Sequence, residues 1–292
     1  MSVSIRLHID DQELLREAIS FTARETGFNP RLVEKDYFCS VVLEYLAASG
    51  AGLTFKGGTC LSKIHRGFYR LSEDLDFSIS TTVGATRAER SRSAAQLKTV
   101  TAALPVHLPT FRIREPLAGA NSSTQYNAVV EYESLIDGHM EPIRVEVGVR
   151  EPNLTDVLAG AAKTALLNPV SGRALVDPFT VHCLSYSEAM AEKFRAALCR
   201  SEVAIRDFFD VEYATRNANF DASEPAFLDL LRQKIAIPRT GPVDVSDVRM
   251  EQVRRQSGTQ LRPVLRKQEF VRFDLEQAIA TVRRVAKKLA SP

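Results

Sequence analysis

The stretch from Leu53 to Ser80 constrains the possible fold more than any other part of the chain. A short apolar run, Leu53 to Phe55, enters a paired-glycine turn at Gly57-Gly58, and Thr59 opens a helix-like stretch toward Ile64. Downstream, Asp74-Leu75-Asp76-Phe77-Ser78-Ile79 alternates polar and apolar residues as a half-buried strand does. The period of two puts both carboxylates on one face. Glycine has no Cβ, so an anion can approach the turn closely, and N–H groups left open at a helix start point at it. Two acidic groups aimed the same way beside such a turn suit a Mg²⁺ ion shared with phosphate oxygens. Magnesium takes one or two carboxylates and completes its shell with phosphate and water. Either half alone reads as a plain turn or a solvated strand face; the two in strand, turn, helix, strand order read as a phosphate and metal site.

Phe55-Lys56-Gly57-Gly58-Thr59-Cys60-Leu61-Ser62-Lys63, followed by Arg70-Leu71-Ser72-Glu73-Asp74-Leu75-Asp76-Phe77, resembles the nucleotidyltransferase signature of the AbiEii/AbiGii toxin family. That type IV toxin–antitoxin family includes the mycobacterial MenT toxins and belongs to the DNA polymerase beta-like superfamily. Glu192-Lys193-Phe194-Arg195-Ala196-Ala197-Leu198-Cys199-Arg200 with Arg206-Asp207-Phe208-Phe209-Asp210 is similar to the family's second signature. Lys35-Asp36-Tyr37 is similar to a triplet near the family's start, although taken alone it reads as a solvated helix face.

The resemblance implies an α+β fold, with a mixed sheet flanked by helices and a mainly helical C-terminal region. It implies Mg²⁺-dependent transfer of a nucleoside monophosphate from an NTP, and a cognate antitoxin as partner. Gly57, Gly58 and Thr59, with Lys63 as a helper, would cradle the β- and γ-phosphates. Asp74 and Asp76 would hold one or two Mg²⁺ ions, Lys193 would meet the triphosphate, and Asp207 would hold that lysine and base-side groups in place. RNA, specifically a tRNA 3′ end, is the implied acceptor.

The resemblance to polymerase-beta-like enzymes also implies a third carboxylate, downstream of the acidic pair. Tyr126 to Leu135, Asp137-Gly138 and Pro142 to Val149 have the composition of a β-hairpin. In its second arm Ile143, Val145, Val147 and Val149 share one face, and Arg144, Glu146 and Gly148 the other. Glu146 is therefore a candidate to bind metal and deprotonate the attacking hydroxyl, with Glu131 and Glu133 as competitors. Ser72 and Ser78 flank the acidic pair, and a phosphate on either would repel an incoming triphosphate; strand-edge hydroxyls are their ordinary role.

Elsewhere, Asp11 to Thr22 carries a helical stripe closed by Gly27. Asn29-Pro30 opens a helix to about Ala47, and a capping box at Thr86 to Glu89 opens one that should stop before Pro105. Ser185 to Glu188 is a second capping box, and Thr180 to Leu184 a short strand. Two domains are expected, 1–184 with the sheet and 185–292 helical, the second contributing Lys193, Asp207 and a basic surface.

With 45% hydrophobic and 25% charged residues, the 292-residue chain is of ordinary globular composition, which excludes disorder as the default. It shows no apolar run of membrane-span length and no secretory segment at its start, so the expected protein is cytoplasmic, without membrane, and monomeric. Net charge is only +2, yet Arg249 to Pro292 holds eleven basic and four acidic residues, leaving the rest net acidic. Such asymmetry is an electrostatic footprint for nucleic acid. Cys39, Cys60, Cys183 and Cys199 show no Cys-x-x-Cys spacing, which argues for buried thiols and against a zinc site. The same catalytic residues also suit a transferase acting on a small molecule or protein side chain, and a non-catalytic nucleotide- or RNA-binding regulator would share the fold.

Overall fold

The alternating stretch at Asp74–Ile79 becomes the middle strand of a seven-stranded mixed sheet. The computed structural model describes residues 3–217 and 220–290. Its strands are β1 (Leu53–Lys56), β2 (Asp74–Ile79), β3 (Phe111–Ala120), β4 (Gln125–Glu133), β5 (Met140–Gly148), β6 (Leu158–Ala162) and β7 (Phe179–Cys183), in the order β3-β4-β5-β2-β1-β7-β6. β1 runs antiparallel to β2 and parallel to β7, and β2 runs parallel to β5; the remaining pairs are antiparallel. The sheet is therefore mixed and, with its flanking helices, consistent with the expected α+β fold. Leu75 and Phe77 of β2, with Ile143, Val145 and Val147 of β5, are buried in the core, while Asp74, Asp76, Arg144 and Glu146 are not.

This sheet belongs to the first of two units into which the chain divides, Met1–Leu184 and Ser185–Pro292. Its helices are α1 (Leu7–Asp10), α2 (Gln12–Thr26), α3 (Pro30–Ala47), α4 (Gly57–Cys60), α5 (Arg87–Ser93), α6 (Ala95–Ala102) and α7 (Leu104–His107), and α4 runs directly into a π-helical turn at Leu61–His65. Local signals act where the sequence puts them. The Asn29 side chain accepts from Arg31 N–H at the start of α3, Gly27 ends α2 at φ 76°, and the Thr86/Glu89 capping box makes both of its bonds. The single helix expected before Pro105 is instead three, broken at Ala94 and Ala103. Pro105 sits in the first turn of α7, where its missing N–H is not needed.

The Lys35-Asp36-Tyr37 triplet does not lie on a solvated face. α3 is buried on nearly every side, with Glu34, Lys35, Asp36 and Tyr37 all within the fold. Buried charges need partners, and each has one. Glu34 accepts from Ser134 Oγ (2.8 Å) and Leu135 N–H (2.6 Å), and burial still raises its carboxyl pKa. Lys35 faces Glu73 at 3.6 Å, and Asp36 accepts from Lys63 Nζ at 2.6 Å and Ala165 N–H at 2.8 Å. Phe38 stacks on Tyr132 at 3.9 Å between centroids, so α3 and β4 share an aromatic core.

The second unit is helical: α8 (Tyr186–Cys199), α9 (Ile205–Asn217), α10 (Pro225–Ile235), α11 (Asp247–Arg255), α12 (Lys267–Arg272) and α13 (Leu275–Ala290). Ala278, Ile279, Val282, Val285 and Ala286 form the buried stripe of α13. Lys234 is buried between Glu188 (2.7 Å) and Glu192 (3.2 Å). Arg249 does not contribute to a basic surface: it is 5% exposed and donates to the carbonyls of Ala196, Ala197 and Arg200, capping the end of α8. No helix among the described residues is long and apolar enough to cross a membrane.

His8 gives this fold a pH dependence. Its ring is buried against Tyr37, Phe38 and Phe111, with Nδ1 2.9 Å from the Tyr37 hydroxyl. Burial, aided by Arg6 and opposed by Asp10, lowers its pKa from 6.5 to about 4. A folded-state value below the unfolded one favours the neutral ring, so its contribution is full above pH 6.5 and lost as the pH falls toward about 4. Urea unfolding should show the wild-type chain losing up to about 3 kcal/mol more than His8→Gln over that interval.

Candidate active site

The register of three strands assembles the site. Lys56 of β1 lies opposite Asp76 of β2, and Asp76 lies beside Glu146 of β5. Paired residues on adjacent strands share a face, so the three side chains emerge together, with Asp74 two residues earlier on that face. Lys56, Asp76 and Glu146 line a cleft of about 250 Å³ with Ser78, Gln125, Arg150 and Glu151. Gln125 Nε2 donates to Glu146 Oε2 at 3.2 Å, which orients that carboxylate. Glu131 and Glu133 lie opposite Pro142 and Met140, toward the other end of β5 and away from the acidic pair.

The glycine turn adjoins the same carboxylates. Gly57 has φ +76°, and a Cβ there would overlap the Asp76 carboxylate, 2.8 Å from its Cγ. Asp76 thus occupies the space that any other residue at position 57 would fill. At Gly58, a Cβ would meet the Arg70 guanidinium, which is 2% exposed. The Thr59 hydroxyl donates to the Asp74 carbonyl, so its side chain fastens the turn to β2 and is not turned toward a ligand. The start of the acidic strand is therefore tied to the turn through the Asp74 backbone, with the Asp76 side chain packed against Gly57.

Lys63 does not reach the cleft. Its ammonium is 1% exposed and donates to Asp36 Oδ1 (2.6 Å), the Asp36 carbonyl (3.1 Å) and Ser40 Oγ (2.7 Å). A charge at that depth is stabilised only where such partners hold it, and it fixes the π-helical turn that follows the glycines against α3. Ser78 is 7% exposed, and its hydroxyl donates to Asn153 Oδ1 at 3.4 Å, which leaves little access for a modifying enzyme. Ser72 is half-buried in the segment before β2.

In the helical unit, Lys193 Nζ lies 2.9 Å from Asp207 Oδ1 and 2.9 Å from Asp210 Oδ2, with 13% of its side chain exposed. The turn of α9 that carries both aspartates thus grips an ammonium presented by α8. Arg200 Nη1 is 3.9 Å from Asp207 Oδ2.

Asp74, Asp76 and Glu146 form an all-oxygen donor set suited to a hard cation. They need not converge on their own, because Mg²⁺ completes its shell with phosphate and water. Among the described residues, one group of three metal-competent side chains has all its ligand atoms within 4.8 Å of one another: Cys60, His65 and Cys183. Spacing alone argued against a thiol cluster, yet pairing of β1 with β7 brings Cys183 beside Phe55, and the glycine turn returns Cys60 to the same place. Hydrogen bonding from Cys60, with a further bond from His65, lowers the Cys183 thiol to about 5 against the opposing effect of burial.

Sequence reasoning passed over Lys56, Arg70, Arg150 and Glu151. Lys56 and Arg70 lie inside the recognised motif, and the signal for Lys56 was its position at the end of the strand facing Asp76. Arg150 and Glu151 follow β5 immediately, where a cleft at a strand's end draws its lining.

A mixed sheet with paired aspartates and a glutamate on one face, adjoining a glycine turn, suits a metal ion shared with phosphate oxygens. Residues 42–285 match the family described as nucleotidyl transferase AbiEii toxin, Type IV TA system. The chain belongs to this family of toxin nucleotidyltransferases. Among solved structures it is similar to an H. pylori protein assigned as a nucleotidyltransferase, with 16% identity, TM-score 0.47, and coverage of 96% of this chain and 97% of the other. It is also similar to JHP933 from Helicobacter pylori, with 15% identity, TM-score 0.45, and coverage of 96% and 94%. No curated protein matches the chain significantly.

The close approach at Gly57 predicts a specific cost. Gly57→Ala should destabilise the fold by roughly 1–2 kcal/mol for the positive φ alone, and by more through displacement of Asp76. Gly67 has φ +63° with open space around its Cβ position. Gly67→Ala should show only the backbone part, and comparison of the two variants by urea denaturation checks the difference.

Proposed function

We propose that the protein transfers a nucleoside monophosphate from an NTP to the 3′ hydroxyl of an RNA, a tRNA acceptor end, and thereby blocks translation. The observation that supports it most is the Asp76 carboxylate, seated against Gly57 and flanked on neighbouring strands by Lys56 and Glu146. In this reading Gly57 and Gly58 receive the β- and γ-phosphates through their backbone, with the buried Arg70 charge behind Gly58 favouring an anion there. Asp74, Asp76 and Glu146 are the residues that would hold Mg²⁺, which supplies charge neutralisation at the α-phosphate when bound.

Glu146 takes the proton of the attacking hydroxyl. The hydroxyl oxygen forms its bond to the α-phosphorus as the bond to the bridging β-oxygen breaks, and pyrophosphate leaves. Lys56 and Arg150 hold the charge that gathers on the phosphates in the cleft. The role proposed for Lys193 is neutralisation of the departing pyrophosphate, with Asp207 and Asp210 keeping its ammonium in one orientation. Positioning and electrostatics account for most of the acceleration in such a reaction.

An RNA acceptor is supported by charge. Arg284, Lys287 and Lys288 are exposed on α13. These three suit a phosphate backbone. Extra nucleotides on a tRNA acceptor end would prevent its aminoacylation. A toxin of this kind needs a neutralising antitoxin, which we include as its partner.

Incubation with each α-labelled NTP, Mg²⁺ and total RNA tests the reading directly. Labelled tRNA is expected, with a drop of at least about a hundredfold for Asp76→Asn and an unchanged circular dichroism spectrum. Undiminished labelling by Asp76→Asn would contradict the site, and label on protein instead of RNA would contradict the acceptor. Replacing Arg284, Lys287 and Lys288 by Gln should weaken RNA labelling and flatten its salt dependence by about 0.7 in log–log slope for each phosphate no longer neutralised.

A further inference from the structure

We propose that Cys60, His65 and Cys183 form a binding site for a thiophilic divalent metal ion of the zinc class, distinct from the acidic face of the sheet. The donor atoms of the three residues lie within 4.8 Å of one another. Two sulfurs and an imidazole are the ligands that zinc and its analogues prefer and that magnesium avoids. The set is assembled by the fold from separate segments: Cys60 ends the helical turn that follows the glycines, His65 ends the π-helical turn, and Cys183 ends β7.

Two further features fit a ligand site better than incidental packing. His65 Nε2 lies 3.0 Å from the Leu184 carbonyl, and an N–H donated to a backbone carbonyl is the outer contact that fixes the tautomer and orientation of a metal-binding histidine. Position 160 on β6 is glycine where a Cβ would stand 2.8 Å from the Cys183 sulfur and 2.7 Å from Ile64, so the absent side chain leaves the sulfur its room. Both thiols are fully buried and His65 is only half-buried, so an ion would enter from the imidazole side. A three-donor set leaves the fourth tetrahedral position to water. Occupancy would tether the segment carrying Gly57 and Gly58 to β7. The inference stands apart from the transfer reaction and holds whatever the acceptor is.

Titration of the full-length chain, reduced with a phosphine, with Co²⁺ reads the site through sulfur-to-cobalt charge-transfer absorption. One Co²⁺ per chain is expected, displaced by Zn²⁺, and retained in Cys39→Ser and Cys199→Ser. Cys60→Ser and Cys183→Ser should lose the band, and His65→Gln should weaken binding by at least about tenfold, each variant being confirmed as folded by circular dichroism. A wild-type chain that develops no such band would overturn the proposal without reference to any variant. So would a band that survives in folded Cys60→Ser and Cys183→Ser.

Discussion

The sheet is organised by a close approach of backbone to carboxylate. Gly57 adopts a positive φ, and its missing Cβ leaves the space in which the Asp76 side chain lies. If the turn moved, Asp76 would lose its seat. If β2 slipped by one residue, both aspartates would pass to the core side of the sheet, where the absence of partners makes a carboxylate costly. The apolar alternation of Leu75 and Phe77 opposes that slip, and so does the paired alternation of Val145 and Val147 on β5. The hydrophobic pattern and the acidic pair are thus two consequences of one register.

The buried ion pair between Lys63 and Asp36 supports this arrangement from behind. It joins the π-helical turn that follows the glycines to α3, and Asp36 extends the tie to the backbone of Ala165. A salt bridge at that depth contributes little net stability relative to an apolar pair. What it supplies here is direction: an ammonium with Asp36 and Ser40 as partners fixes the segment in one position, which a set of interchangeable methyl groups would not. The family signature contains Lys63 without revealing that its charge points inward.

Much of the first unit was legible because its signals are local. Asn29-Pro30, Gly27, the Thr86 capping box and the alternation in β2 and β5 act within a few residues of themselves. The features that were not legible depend on distant partners. Lys35 and Asp36 read as solvated because charged side chains on a helix ordinarily face water, yet that helix is buried on nearly every side and its charges are paired through residues 73, 63 and 165. Cys183 and Cys60 were separated by most of a domain in sequence, so no spacing rule could bring them together. The basic C-terminal segment read as one surface, whereas Arg249 caps α8 and several neighbours are held in ion pairs. Glu146 was one of three candidates by composition; only the strand register distinguishes its place from those of Glu131 and Glu133.

The central claim is that the acidic face and the glycine turn receive one metal–nucleotide complex. Crystals soaked with Mn²⁺ and a non-hydrolysable NTP test it most directly, through the anomalous signal of the metal. The account requires a peak bounded by Asp76 and Glu146, with Asp74 alongside and the phosphates lying on Gly57 and Gly58. A peak elsewhere, or a nucleotide whose phosphates avoid that turn, would contradict it.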